Sequence, residues 1–426
     1  MPSGAEGPVE PRAGAGTARI SALDAFRRGE ADAVSLLERA LEAAPHDGDL
    51  LIAHASAGML SGEPDASVRI EAVLRQAPDW VDGHKALVKL KTEAGLPHPF
   101  ALLEAALEKL PRHPGLWMAY LTMLASADRH GEAADHAANL RRAIADLPEL
   151  RLVEARYAGF AGEIERAAEL LEGLPENLPE LYFERARHAL RQRDLPAANS
   201  AIDRGLAQNP ADIGMWALAE LSWRAAGDNR HDWLLQGEHL FAQLPLGIDH
   251  PALEQICDAV EATHTASAAP LGQSVKGGTQ TRGDLRDRAH PHIAELFSAI
   301  EETLSRFGQR FEELADKHPL SPLKQRCPRI AASWSIRLTG GGHHVSHLHD
   351  GGLLSSAAHL RVPDSVAAGE GVLELGRPPK DIPLGLEPLA VFDPLPGYLV
   401  LFPSFLYHGT TPFSAGQRLT VAFDAV

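Results

Sequence analysis

The stretch HHVSHLHDGGLLSSAAHLRVPD, residues 343 to 364, decides what kind of domain the C-terminal part of this chain forms. At its centre stand His347 and His349, and His408 follows 59 residues after His349. Side chains two positions apart point to the same face of an extended strand, so the first two imidazoles can act together. A third histidine from a distant strand would complete a facial set of metal ligands of the kind that binds iron.

Arg418 follows ten residues after the last of these histidines, in the segment QRLTVAFD. A guanidinium carries a planar fork of donors, which suits it to bind a dicarboxylate through two hydrogen bonds. Arg418 and Thr420 share one face of the predicted strand, and burial of an unpaired charge there would be costly. We therefore predict that Arg418 binds a ligand carboxylate with help from the Thr420 hydroxyl; a structural salt bridge is the alternative.

The sequence around these residues resembles a known family. SWSIRLTGGGHHVSHLHDGGLLSSAAHLRVPD (333 to 364) and GYLVLFPSFLYHGTTPFSAGQRLTVAFD (397 to 424) are similar to the 2-oxoglutarate/Fe(II) oxygenases that bacteria fuse behind tetratricopeptide repeats. The resemblance is close across the C-terminal domain and loose across the repeats. It implies an oxygenase that binds Fe(II) and uses 2-oxoglutarate as cosubstrate.

The candidate ligand set differs from the usual one of two histidines and a carboxylate. Asp350 could supply a carboxylate, yet on a regular strand it would face away from His347 and His349. The resembling family has proline where this chain has Asp350. We predict that His347, His349 and His408 are the ligands, and Asp350 is the alternative to His349 if the backbone is irregular at the strand end.

A second departure from the family concerns the substrate pocket. The family usually has two tyrosines where this chain has Ala358 and His359, so His359 must replace a tyrosine at the cosubstrate or the pocket is altered. Taken singly, His343 and His344 are expected to be surface or core side chains, as are His290 and His359.

The N-terminal half has the pattern of helical repeats. From residue 18 to residue 230 the chain is rich in Ala and Leu at helical spacing, and a proline recurs where one helix pair should end, at Pro45, Pro78, Pro111, Pro148 and Pro210. A period near 34 residues is typical of tetratricopeptide repeats, and we predict five or six degenerate copies. Residues 1–17 are predicted to be a disordered tail.

The C-terminal half, residues 231–426, has a different pattern. The segment 273–285 is rich in Gly, Thr and Gln and is predicted to be a loop, near the active-site mouth or a plain connector. Apolar residues at helical spacing predict a helix within 290–314. From about residue 328 the period changes to two, which predicts a double-stranded β-helix or jelly-roll built from antiparallel strands.

Composition excludes several classes of protein. A net charge of -17 in 426 residues disfavours nucleic acid as a partner, and no apolar run is long enough for a membrane anchor. The two cysteines, Cys257 and Cys327, lie too far apart for a thiolate metal motif, and two cysteines do not support a disulfide framework. A reducing cytoplasm is therefore expected. The sequence does not predict the oligomeric state.

The leading functional hypothesis is a non-haem Fe(II), 2-oxoglutarate-dependent oxygenase that hydroxylates a peptide or protein recruited by the repeats. A small-molecule substrate is the alternative to a peptide or protein substrate. Two other hypotheses remain: a catalytically inactive repeat scaffold for protein binding, and a three-histidine iron dioxygenase that does not use 2-oxoglutarate. In the last case Arg418 would bind a carboxylate of the substrate.

Overall fold

The computed structural model describes residues 12–60, 62–63, 65–266, 268–363 and 367–426. The chain forms two compact units, Met1–Ala119 and Tyr120–Val426. The predicted boundary between repeats and oxygenase domain at residue 230 stays a prediction. Of the predicted tail 1–17, residues 1–11 lie outside the described part, and the first helix begins at Arg12, within that stretch.

The first unit is built from helices. They are α1 (Arg12–Arg28), α2 (Ala33–Ala43), α3 (Gly48–Leu60), α4 (Val68–Gln76), α5 (Val81–Glu93) and α6 (Ala101–Lys109), while α7 (Pro114–Ser126) crosses the boundary between the units. Three of the recurring prolines, Pro45, Pro78 and Pro111, fall between consecutive helices, where the sequence predicted a break. Small and branched apolar residues such as Ala40, Leu41 and Leu50 pack between neighbouring helices.

The second unit continues the helices and adds the strands. Its helices are α8 (His130–Ile144), α9 (Pro148–Phe160), α10 (Ile164–Leu171), α11 (Leu181–Arg191), α12 (Leu195–Gln208), α13 (Ile213–Ala226), α14 (Arg230–Leu235), α15 (His250–Glu261) and α16 (Pro291–Gly308). Helix α16 lies within the segment predicted as helix. Among the described residues, no helix combines the length and apolar character that crossing a bilayer requires.

Two antiparallel sheets form the C-terminal part. The strands are β1 (Ala242–Pro245), β2 (Val275–Gln280), β3 (Ile330–His344), β4 (Leu354–Arg361), β5 (Leu373–Leu375), β6 (Ala390–Phe392), β7 (Tyr398–Pro403), β8 (His408–Thr410) and β9 (Gln417–Ala425). The larger sheet has the order β1-β7-β4-β9-β3-β2 and the smaller one β6-β5-β8. The predicted fold class, helical repeats followed by an antiparallel double-sheet domain, is confirmed.

The prediction of a loop at 273–285 is wrong for its first half, because residues 275–280 form β2 at the edge of the larger sheet. Its glycines serve a close backbone approach rather than a loop. The register shifts at a bulge between Lys276 and Gly278, where Gly277 has a φ of 70°. A Cβ at Gly278 would lie 2.3 Å from the carbonyl oxygen of Arg337, so only glycine fits there.

A buried ion cluster joins the helices of the second unit to its smaller sheet. Asp381, in the connection between β5 and β6, accepts hydrogen bonds from Arg187 at 2.9 and 3.0 Å and from Arg191 at 2.8 and 3.1 Å. Both arginines lie on α11 and both are buried. One carboxylate therefore compensates two guanidinium groups that would otherwise be unpaired away from water.

We expect Asp381→Ala to lower the free energy of unfolding of the second unit by about 3 to 5 kcal/mol, because it leaves two buried charges without this partner. Urea denaturation followed by circular dichroism measures this change. Asp316→Ala is the matched control, since Asp316 pairs with Lys324 but its side chain is 94% exposed, and such pairs contribute little. Equal losses in the two variants would contradict the prediction.

His264 fastens the chain after α15 to the larger sheet. Its Nδ1 lies 2.9 Å from the Thr279 hydroxyl and its Nε2 lies 2.9 Å from the Ser335 hydroxyl. Burial, and secondarily the charge of Arg337, lower the pKa of His264 from its ordinary 6.5 to about 4. Between pH 6.5 and pH 4, His264 is protonated in the unfolded chain but neutral in the folded chain. The contribution of His264 to stability is therefore complete above pH 6.5 and is lost as the pH falls towards 4.

Acidification from about pH 7 to about pH 4.5 should therefore destabilise the wild-type protein more than His264→Gln, by at most about 3 kcal/mol. Thermal unfolding at the two pH values measures the difference. Other buried histidines titrate in both proteins, so their contributions cancel in the comparison. A wild type and a variant that lose the same stability would rule out this role.

Candidate active site

The three predicted ligand histidines meet at one end of the two sheets. His408 begins β8, and His347, beyond the end of β3, forms an isolated antiparallel bridge with it. The two backbone hydrogen bonds of this bridge are both 3.0 Å long. One ring nitrogen each from His347, His349 and His408 lies within 4.8 Å of the others. Exposed Asp350 is not part of this group.

Backbone carbonyls fix the rings of two of the histidines. The Nδ1 of His347 lies 2.9 Å from the carbonyl oxygen of Val345, and the Nδ1 of His408 lies 3.1 Å from that of Leu406. A carbonyl oxygen can only accept, so each Nδ1 carries the proton and donates it. The Nε2 of each ring keeps its lone pair, as metal-binding histidines require.

A carboxylate fixes the third ring. The Nδ1 of His349 donates to Oδ1 of Asp424 over 2.8 Å, and the same oxygen accepts a hydrogen bond of 3.0 Å from the Ser355 hydroxyl. The indole of Trp334 packs edge-on against the His349 ring at 5.2 Å between centroids. His349 is therefore held from two sides with its Nε2 facing His347.

This donor set fits a divalent metal ion. The Nε2 atoms of His347 and His349 lie only 3.1 Å apart, and with both Nδ1 atoms protonated their lone pairs face each other. Such an approach is repulsive unless a cation lies between the nitrogens. Burial lowers the pKa of His347 to about 3, helped by His349, and holds the pKa of His408 well below its usual range. The rings of His347 and His408 are thus neutral at pH 7, the state in which imidazole binds metals.

Arg418 lines the same cavity as the three histidines. It is 3% exposed, and it donates to the carbonyl of Gly371, the Thr420 hydroxyl and Nδ1 of His359. Among the described residues no carboxylate pairs with it, and burial lowers the pKa of its guanidinium to about 10. A buried cation without a counterion is suited to bind an anion.

The alternation of β9 places Arg418 and Thr420 on the same wall of the cavity. These two residues and Ala422 line the cavity, whereas the residues between them belong to the hydrophobic core. Leu338 and Ile336 of β3 are their register partners, which fixes the height of each side chain along the cavity wall.

Several polar residues of the site were not anticipated from the sequence, His344 and Ser274 among them. His344, expected to be a surface or core side chain, lines the cavity and stacks on His347 with 5.8 Å between ring centroids. The hydroxyl of Ser274, just before β2, lies 2.9 Å from Nδ1 of His344 and 3.2 Å from Nε2 of His347. The double histidine at 343 and 344, three positions before His347, was the available signal.

His359 occupies one of the positions where the resembling family has tyrosine. It is fully buried, contacts Arg418 at 3.1 Å and is not among the residues that line the cavity. Because its Nδ1 accepts from Arg418, its Nε2 carries the proton, and that atom has no hydrogen-bond partner among the described residues. In this structure His359 supports the guanidinium.

Comparison with known proteins finds a family model that matches the C-terminal part of the chain. The model of the family described as "Putative 2OG-Fe(II) oxygenase" matches residues 332–424. This match contains all three histidines, Arg418 and Asp424. No curated protein matches the chain.

Solved structures resemble parts of the chain. A prolyl hydroxylase of Paramecium Bursaria Chlorella virus-1 shares 13% identity over 44% of this chain and 95% of its own, with a TM-score of 0.30. A prolyl-4-hydroxylase of Pseudomonas putida shares 13% over 44% and 93%, with a TM-score of 0.31. A tetratricopeptide repeat protein of Parabacteroides merdae shares 14% over 57% and 96%, with a TM-score of 0.36.

These likenesses are too distant to carry an argument about activity, so the assignment depends on the family match and the geometry of the chain itself. The resemblance found in the sequence is confirmed at that level. Behind a region of helical repeats, residues 332–424 of this chain match the model of the 2-oxoglutarate/Fe(II) oxygenase family.

Proposed function

We propose that the protein is a 2-oxoglutarate-dependent Fe(II) oxygenase in which His347, His349 and His408 hold the metal. Arg418 and Thr420 bind the distal carboxylate of 2-oxoglutarate. The observation that supports this most strongly is the unpaired buried guanidinium of Arg418 in the cavity lined by the three histidines. A metal site alone would not need such a cation, whereas a dicarboxylate cosubstrate would.

When bound, Fe(II) with 2-oxoglutarate supplies the oxidation of a substrate C–H bond by O₂, which yields a hydroxylated product, succinate and CO₂. Three imidazoles on one side would leave the other coordination positions for ligands. The fork of Arg418 would orient the cosubstrate along β9. Phe402, whose ring lies 4.7 Å from that of His408, shields this side of the site from water.

We propose a peptide or protein as the substrate class. The support is architectural: helical repeats expose an extended surface that suits a peptide or a partner helix, and they precede the oxygenase domain in one chain. Fold by itself does not determine a substrate, so this part of the proposal depends on turnover experiments.

The cosubstrate is tested by adding Fe(II) and 2-oxoglutarate to the purified protein without oxygen and recording the visible charge-transfer band of the chelated keto acid. We expect the band in the wild type and none in His408→Ala. Arg418→Ala should bind 2-oxoglutarate more weakly by about 2 to 5 kcal/mol, because a buried charge pair would lose one partner. Arg418→Lys keeps the charge but not the fork and should be intermediate.

Arg326→Ala, which removes an exposed arginine of the same region, is the control and should bind normally. Metal binding without the band would favour a three-histidine dioxygenase that does not use 2-oxoglutarate. Absence of metal binding would leave the repeat scaffold as the remaining hypothesis.

The substrate class is tested by oxygen-dependent succinate release in the presence of peptide pools or of small metabolites. We expect peptides to stimulate release and one peptide to gain the mass of an oxygen atom, as seen by mass spectrometry. Stimulation by metabolites alone would contradict a peptide substrate and leave the cosubstrate assignment intact.

A further inference from the structure

We infer that Asp424 is a positioning residue that supplies the metal, through His349, with the negative charge that a three-histidine set lacks. This inference depends on the proposed function, because it assigns a role to a residue next to the proposed ligands. It concerns a side chain that neither the spacing of the histidines nor the family resemblance had singled out.

Asp424 is placed for this role by its contacts. Its carboxylate accepts from Nδ1 of His349 at 2.8 Å and from the Ser355 hydroxyl at 3.0 Å. Ser355 is fully buried and lies 2.9 Å from the Ser404 hydroxyl, so the acceptor oxygen is held by a fixed network. Asp424 is itself 9% exposed, and among the described residues no lysine or arginine pairs with it.

The three histidines are not equivalent in their outer partners. His347 and His408 each donate to a neutral backbone carbonyl, whereas His349 donates to a carboxylate. A carboxylate on Nδ1 makes the opposite nitrogen more basic and a stronger ligand. The three-histidine set lacks the carboxylate of the usual set of two histidines and one carboxylate. The missing charge is therefore present one hydrogen bond away from the proposed coordination shell.

Strand β9 explains how the carboxylate reaches this place. Asp424 continues the row formed by Arg418, Thr420 and Ala422, because alternate residues share one face of a strand. Its register partner on β4 is Ser355, the residue that donates to it. One strand thus carries the proposed cosubstrate cation near one end and the carboxylate behind the metal at the other.

Asp424→Asn tests the inference, since asparagine keeps the size and the acceptor oxygen but removes the charge. We expect Fe(II) to bind this variant about 10- to 100-fold more weakly in anaerobic titration calorimetry, with unchanged stoichiometry. The midpoint potential of the bound Fe(III)/Fe(II) couple should rise, because the lost carboxylate favours the ferric ion. Asp350→Asn is the matched control: it removes the same charge from an exposed neighbour of His349 and should change neither quantity.

Asp424→Glu separates charge from structure. It keeps the carboxylate, so its midpoint potential should stay near that of the wild type even where the longer side chain weakens binding. If glutamate and asparagine shift the potential equally, or asparagine shifts neither affinity nor potential, the inference is wrong while the proposed function stands. If the wild type binds no Fe(II) or gives no keto-acid band, the proposed function fails instead.

Discussion

The geometry of this site depends on the short backbone bridge between His347 and His408. The two residues are far apart in the sequence, and two hydrogen bonds of 3.0 Å bring their main chains together. Each Nδ1 donates to a carbonyl oxygen within its own segment, so the Nε2 atoms of the two rings converge. The approach of these nitrogen lone pairs to one another is unfavourable, and a bound cation would offset that cost.

The second constraint is the buried charge of Arg418. Removing a guanidinium from water is unfavourable, and its contacts with a carbonyl, a hydroxyl and the neutral ring of His359 satisfy its donors without neutralising it. The fall of its pKa to about 10 expresses the same cost. A protein that needed only stability would gain from an apolar residue there, so the charge makes sense as one half of a pair whose other half is a ligand.

The local sequence pattern predicted the secondary structure, because helices and strands depend on the spacing of neighbouring residues. The double sheet was predicted from the spacing of His347 and His349 and from the alternation around Arg418. The repeats were predicted from the recurring prolines. The glycines of β2 misled for the same reason: their composition suits a loop, and only the pairing with β3 shows that they permit close approach.

The sequence could not predict side-chain contacts that depend on the register between paired strands. Asp424 meets His349 because β4 and β9 pair with Ser355 opposite Asp424, and because the chain beyond β3 leaves the regular strand before His349. Neither fact is visible in spacing, since 75 residues separate the two side chains. Ser274 and His344 were missed likewise, as their meeting depends on the pairing of β2 with the end of β3.

The arrangement of charges along β9 also resolves a conflict that the proposed chemistry creates. A carboxylate repels a dicarboxylate cosubstrate more strongly the closer the two approach, so a negative charge held behind a metal ligand repels it less than one on the cavity face. Asp424 lies behind the proposed ligand, because its carboxylate accepts the hydrogen bond from Nδ1 of His349, and Arg418 stands three alternate positions away on the same face. Ala422, between Thr420 and Asp424, has no side chain beyond Cβ to fill the space. A carboxylate in place of His349 would bring its charge directly to the metal. His349 instead transmits part of the charge of Asp424 from behind, and it places no carboxylate on the cavity face of the site.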